Sequence, residues 1–194
     1  GRGRMEAGPR GTVRPGRFGA CNFRLCDDTR RRVRAVVWAS YGRVLQEMEA
    51  PKHLIVTVTN ATRMSRMYMQ SLKDAFGKFR RFLKTKKGCV GGLYSYEVKF
   101  TTAGQWHPHI HVILDMPYVP VEVLKAAWQF ESNCTDIFIK PAWWSRAQPN
   151  LRTAKGLVEY IFKDFQFDYG DWRLVKEFLT ATYDMNLYGS FGTI

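Results

Sequence analysis

The spacing of apolar residues changes along this chain, and the changes mark its elements. Residues 54–59 read Leu-Ile-Val-Thr-Val-Thr, β-branched almost throughout and set after Pro51, which predicts a strand. Over residues 65–83, Tyr68, Leu72, Ala75, Phe76, Phe79 and Leu83 recur at helical spacing on one face. That helix ends in cations, which suit its C-terminal dipole, and Gly88 supplies a stop. Two strands follow, over roughly 92–101 and 107–114, with Gly104 in the turn, so they are expected to pair antiparallel. A short helix is predicted at 121–130 after Pro120, a strand at 136–139, and helices at 153–165 and 172–183; residues 187–192 read as a final strand or turn. Strands and helices do not strictly alternate, so the expected class is α+β rather than doubly wound α/β.

The first twenty residues have a different character. Arg2, Arg4, Arg10, Arg14 and Arg17 stand among six Gly and two Pro. Gly and Pro oppose regular structure and the arginines repel one another, so residues 1–20 are expected to be a flexible basic arm before a single domain at 21–194. Arg30, Arg31, Arg32 and Arg34 form a second basic cluster leading into Val36-Val37-Trp38, which suits the start of a helix. Across the chain 30 Lys and Arg outweigh 17 Asp and Glu, a formal net charge of +13 that predisposes it to a polyanion. Charge alone does not separate DNA from RNA or an anionic surface. With 45% hydrophobic residues the chain has material for a core, which excludes a wholly disordered protein. No apolar run approaches the roughly 18 residues of a membrane span. Four Cys in 194 residues are too few for a disulfide scaffold. The expectation is a cytoplasmic protein with reduced thiols and no membrane partner.

Three of the four histidines fall in Trp106-His107-Pro108-His109-Ile110-His111-Val112-Ile113-Leu114. Strand residues two apart share a face, so His109 and His111 project together while Ile110 and Val112 face the core. Two imidazoles on one face can hold a divalent metal. His107 has the same parity, but Pro108 is expected to break the ladder and turn it aside. Glu97 lies on the preceding strand, and a hairpin centred near residues 103 and 104 puts it opposite residues 109–111. Two His and one carboxylate leave coordination positions open for water or phosphate oxygens, an arrangement suited to catalysis.

Residues 155–164, Lys-Gly-Leu-Val-Glu-Tyr-Ile-Phe-Lys-Asp, hold a candidate nucleophile. On a helix Tyr160 and Lys163 face the same way. A phenol beside a cation and a metal-bound phosphate loses its proton more readily and can attack phosphorus. Basic residues at the end of the first long helix, Arg80, Arg81, Lys84, Lys86 and Lys87, are candidate DNA contacts, and Trp143 and Trp144 could stack on bases.

The ordered set resembles the HUH endonucleases, and within them the rolling-circle plasmid replication initiators with one catalytic tyrosine. Residues 54–59 look like their first motif, His107-Pro108-His109-Ile110-His111-Val112-Ile113 like the second, and Tyr160-Ile161-Phe162-Lys163 like the third. Glu97 falls where the family often has its third metal ligand. The resemblance implies a five-stranded antiparallel sheet of ferredoxin-like type with flanking helices. It implies Mn²⁺ or Mg²⁺ at His109, His111 and Glu97, with Tyr160 and Lys163 catalytic. It further implies a nickase and strand transferase acting on single-stranded or cruciform DNA at a replication origin, alongside a host helicase and polymerase. Some relatives carry a glutamate four residues before the tyrosine that helps water release the covalent link. Gly156 stands there in this chain, and Glu159 is the neighbouring candidate. Cys21 and Cys26 resemble part of a zinc segment, but Thr29 occupies the position of its third Cys, so no structural zinc is expected. A single-strand transposase or a relaxase of the same superfamily, or a non-catalytic nucleic-acid-binding module, would share parts of this pattern.

Overall fold

Five strands make one antiparallel sheet in a computed structural model of the chain, which describes residues 6–7, 13–14, 25–142 and 153–194. The elements in order are β1 (Glu6–Ala7), β2 (Val13–Arg14), α1 (Asp27–Gln46), β3 (Pro51–Thr57), α2 (Arg66–Lys87), β4 (Gly91–Phe100), β5 (Trp106–Asp115), α3 (Val121–Ser132), β6 (Ile137–Pro141), α4 (Ala154–Ile161), α5 (Trp172–Ala181) and β7 (Tyr188–Gly192). The sheet runs β6-β3-β5-β4-β7, and β1 and β2 form a two-stranded pair. The β3-α2-β4-β5-α3-β6 segment has the connectivity of a split βαβ unit, with β7 added beside β4. The protein is therefore α+β, with the five-stranded antiparallel sheet and flanking helices expected from its sequence. Of the predicted arm the structure describes four residues, which pair as Glu6↔Arg14 and Ala7↔Val13.

Alternation along the strands divides the sheet into two faces. One face presents Leu54, Val56, Tyr96, Val98, Ile110 and Val112, and packs into the main core with Met69, Leu72, Phe76 and Phe79 of α2, Leu124 and Trp128 of α3, and Phe178 of α5. The other face presents Leu93 and Ile113 to a smaller core made by Val37 and Leu45 of α1 and Leu157, Val158 and Ile161 of α4. Each large side chain so buried contributes about 1.5–3 kcal/mol. Glu97, His109 and His111 belong to the second face, which α1 and α4 only partly cover.

Local chemistry sets the boundaries. Ser65 caps α2, its hydroxyl accepting from the Tyr68 amide, and Gly88 ends the helix at φ +68°, a conformation that favours glycine. Gly104 turns the β4–β5 hairpin at φ +72°. The Arg30 cluster lies in the first turns of α1, as its position before Val36-Val37-Trp38 suggested. Asp27 and Asp28 sit in the first turn, and Arg30 is buried against Asp27, Asp164 and the Tyr169 hydroxyl.

Near the candidate site, β3, β5 and α4 differ from the sequence pattern. β3 starts at Pro51 and ends at Thr57, because β5 and β6 together pair the earlier residues. Pro108 does not break β5: the ladder to β4 continues through Val98↔Pro108. Towards β3 the last pair is Thr57↔His109, and contact resumes only at Ala61↔Trp106. The intervening residues leave the sheet, so no partner requires the amide that Pro108 lacks. Finally, α4 stops at Ile161, short of the predicted 165. Beyond it Gln166 bridges to β4, its amide donating to Val98 and its carbonyl accepting from Phe100. Phe165 and Phe167 flank that bridge and both pack on Phe178, a strand-like alternation that resembled one more helical turn.

Candidate metal centre

The register of three strands assembles the site. Glu97 of β4 is the direct partner of His109 on β5, Ser95 is opposite His111, and Ile55 of β3 flanks His111 on the other side. Residues directly opposite in an antiparallel pair share a face, so Glu97, His109 and His111 converge. The Nε2 atoms of both rings donate to the same carboxylate oxygen, at 2.7 Å from His109 and 2.6 Å from His111. All three side chains are buried, Glu97 to 1% exposure.

This donor set fits a divalent cation. One ligand atom from each residue lies within 4.8 Å of the others, and among the described residues this is the group of His, Cys, Asp and Glu so arranged. Two N–H groups pointed at one oxygen occupy the space in which a cation would meet both nitrogens and the carboxylate. Two buried atoms of the group, His109 Nδ1 and Glu97 Oε1, make no directed hydrogen bond. Lys163 Nζ stands 3.0 Å from Oε1 and Lys99 Nζ 3.5 Å, as ion pairs. Burial by itself would raise the Glu97 pKa. Hydrogen bonds from His109 and His111, with Lys163, outweigh it and hold Glu97 well below the usual carboxylate range. Burial lowers His111, against the pull of Glu97, which favours the neutral ring a metal requires.

Tyr160 meets this group edge-on. Its ring centroid is 5.4 Å from that of His111, nearly perpendicular to it, and the tyrosine is half-buried. Thr153 starts α4 by accepting from the Gly156 amide, and Leu157, Val158 and Ile161 seat the helix on the sheet, which brings Tyr160 to the histidines. Lys163 lies past the end of α4, yet its amide donates to the Tyr160 carbonyl and its Nζ sits 4.4 Å from the Tyr160 ring centroid. The predicted pairing of tyrosine and lysine holds, with the chain turning at the helix end rather than continuing as helix.

Other predicted residues fall elsewhere. Glu159 is exposed. His107 bonds to Asn60 and lies outside the converging group. Arg80, Arg81, Lys84, Lys86 and Lys87 are on α2, across the sheet from the histidines. Arg80 packs over Phe76, Tyr94 and Phe191 there, while Arg81, Lys84 and Lys86 are exposed. Trp143, Trp144 and Cys21 lie outside the described residues.

One residue of the site escapes the sequence reading. His53 of β3 is 1% exposed, and its Nε2 is 3.0 Å from His111 Nδ1. Its ring lies side by side with that of His111, nearly parallel to it, and meets the edge of Tyr160. Burial, reinforced by His111, Lys140 and Lys163, pushes its pKa down to about 3. Its parity with Ile55 was the available signal, but that parity means something only once β3 is known to flank β5 in this register.

A further cavity of about 510 Å³ opens beside Lys163, lined by residues that include Arg30, Ser95, Phe162 and Tyr188. No helix among the described residues is long and apolar enough to cross a membrane. No known family model, curated protein or solved structure matches this chain.

Proposed function

We propose that this protein is a metal-dependent single-strand DNA endonuclease and strand transferase, acting as a rolling-circle replication initiator with Tyr160 as its nucleophile. The observation that carries the reading is the meeting of Tyr160 with the buried Glu97–His109–His111 group, side chains drawn from three separate segments. The resemblance in sequence order and the net charge of +13 support it further.

Held by His109, His111 and Glu97, Mn²⁺ or Mg²⁺ would polarise the scissile phosphate and offset charge in the transition state. Tyr160 Oη, having lost its proton to solvent, forms a bond to phosphorus as the bond to the 3′ oxygen breaks. The 5′ phosphate stays on Tyr160 as a phosphotyrosine, and the 3′ oxygen takes up a proton to become a free 3′-OH able to prime synthesis. Attack on the phosphotyrosine by a 3′-OH reseals a strand and restores the phenol, so no ATP is consumed. Lys163, between Tyr160 and Glu97, places a cation against the Tyr160 ring and ties the end of α4 to the metal group.

The test is incubation with a labelled single-stranded DNA library and Mn²⁺, followed by a denaturing gel. A covalent protein–DNA band that disappears with chelator is the expected result. DNA binding with no covalent band, with or without metal, would identify a non-catalytic binding module instead.

A further inference from the structure

We infer that His53 is a positioning residue for the metal, taking the outer hydrogen bond of His111 and changing tautomer with it when the ion binds. The inference rests on the metal-dependent reading above and adds a fourth residue to it, from a strand that supplies no ligand.

Glu97 accepts from His111 Nε2, so that nitrogen carries a hydrogen in the metal-free protein. A neutral ring with its hydrogen on Nε2 has a lone pair on Nδ1. The atom facing that lone pair is His53 Nε2, 3.0 Å away, so His53 donates and its own hydrogen is on Nε2. To bind a cation, His111 must turn a lone pair outward from Nε2, which places its hydrogen on Nδ1. The ion displaces the Nε2 hydrogen of His111 to solvent, the Nε2 hydrogen of His53 passes to His111 Nδ1, and His53 takes up a hydrogen from solvent on Nδ1, so both rings stay neutral and His53 Nε2 becomes the acceptor.

No fixed contact at His53 Nδ1 selects a tautomer, since that atom is buried without a hydrogen-bond partner; the metal-free form leaves only a lone pair there, and ion binding offsets the cost of placing a hydrogen on it. The rings are nearly parallel, 15° apart with centroids 5.3 Å from each other, and the β3–β5 ladder holds both strands in place. His109 has no such support, since its Nδ1 is also buried without a partner. His111 is therefore the ligand whose orientation and basicity are set by a neighbour. Loss of an outer partner of this kind weakens metal binding about 10- to 100-fold.

Two measurements on the full-length protein test this. The first is Mn²⁺ affinity by calorimetry, beside thermal melting in chelator. His53→Leu should weaken Mn²⁺ about 10- to 100-fold while the chelated protein melts near wild type, because the leucine removes one buried unsatisfied nitrogen, His53 Nδ1, as it leaves another, His111 Nδ1, unpaired. His53→Gln, whose amide oxygen can accept from His111 Nδ1, should restore affinity to within about threefold of wild type. Equal affinity in wild type and His53→Leu would overturn the inference and leave the metal reading intact, as would a glutamine variant as weak as the leucine one. A wild type that binds no Mn²⁺ would overturn both.

The second measurement needs no variant, so a leucine protein that fails to fold does not block the test. In ¹⁵N-histidine spectra the His53 and His111 hydrogens should lie on Nε2 in chelator. Both should move to Nδ1 on adding Zn²⁺, a diamagnetic ion that imidazole binds. A His53 tautomer unchanged by Zn²⁺ bound at His111 would overturn the inference.

Discussion

Glu97 and His109 are direct partners in the β4–β5 ladder, and the Glu97 carboxylate accepts from the His109 ring at 2.7 Å. This pair makes the candidate metal site a property of sheet register, and a one-residue slip would turn one of the two side chains to the opposite face. Replacing His109 or His111 with Ala should therefore remove the ion without unfolding the sheet. Cleavage should drop by at least about 100-fold, the scale of several kcal/mol of lost transition-state stabilisation. Chelation of wild type should do the same, and Glu97→Gln should be partly rescued by excess Mn²⁺. Normal cleavage by both histidine variants in chelator would place the chemistry elsewhere.

Tyr160→Phe keeps the ring edge against His111 and His53 and removes only the phenol oxygen proposed to attack phosphorus. The variant should bind single-stranded DNA as wild type does and form no covalent adduct. Mass spectrometry of the wild-type adduct should locate the nucleotide on Tyr160. An adduct in the phenylalanine variant at wild-type yield would point to another tyrosine, with Tyr169 next in sequence.

Glu159 is exposed, and Gly156 has no side chain to activate water. Glu159→Ala should leave the lifetime of the phosphotyrosine unchanged, measured by adduct decay after quenching with excess unlabelled DNA. A lifetime several-fold longer in the variant would show that Glu159 assists hydrolysis.

The α2 cations and the basic arm should act on affinity and not on chemistry. Arg81, Lys84 and Lys86 are exposed on the layer opposite the histidines. Substituting all three with Gln should leave the cleavage rate at saturating DNA within about twofold of wild type. Deleting residues 1–17 should weaken binding and flatten its salt dependence by about 0.7 in log–log slope per lost phosphate contact. An unchanged slope would show that the arm touches no DNA. A changed sequence preference would show that it reads bases.

Alkaline pH should destabilise the fold through Cys89. Burial pushes this thiol from 9.0 up to about 11. Its folded value is thus above its unfolded one. The associated stability is complete below about pH 9 and is lost as pH rises through about 11, where the unfolded chain has released a proton that the folded chain retains. Burial raises Tyr68, to about 12, and Tyr96 in the same sense. Urea denaturation between pH 8 and 11 should show wild type losing stability more steeply than Cys89→Ala, by about one proton's linkage. Equal slopes would mean that the thiol ionises within the folded protein.

Several features of this protein are written locally in its chain. The helical stripe from Tyr68 to Leu83, the stop at Gly88, the turn at Gly104 and the shared face of His109 and His111 all depend on short-range periodicity and backbone sterics. Even the opposition of Glu97 to His109 follows from counting back through a short hairpin. The rest required the assembled sheet. β3 joins the edge of β5 from far away in sequence, so nothing in Pro51-Lys52-His53 signals that His53 will face His111. Helical periodicity at 153–165 could not separate the end of α4 from the segment that bridges to β4, because Phe165 falls on the apolar face of either pattern and only the Gln166 bridge decides between them. Whether the α2 cations share a surface with the histidines is likewise decided by which face of the sheet each helix covers. Local patterns determine which side chains point the same way along one element. Packing between distant segments determines which of them meet, and it is that packing which brought His53, Tyr160 and Lys163 to the Glu97 group.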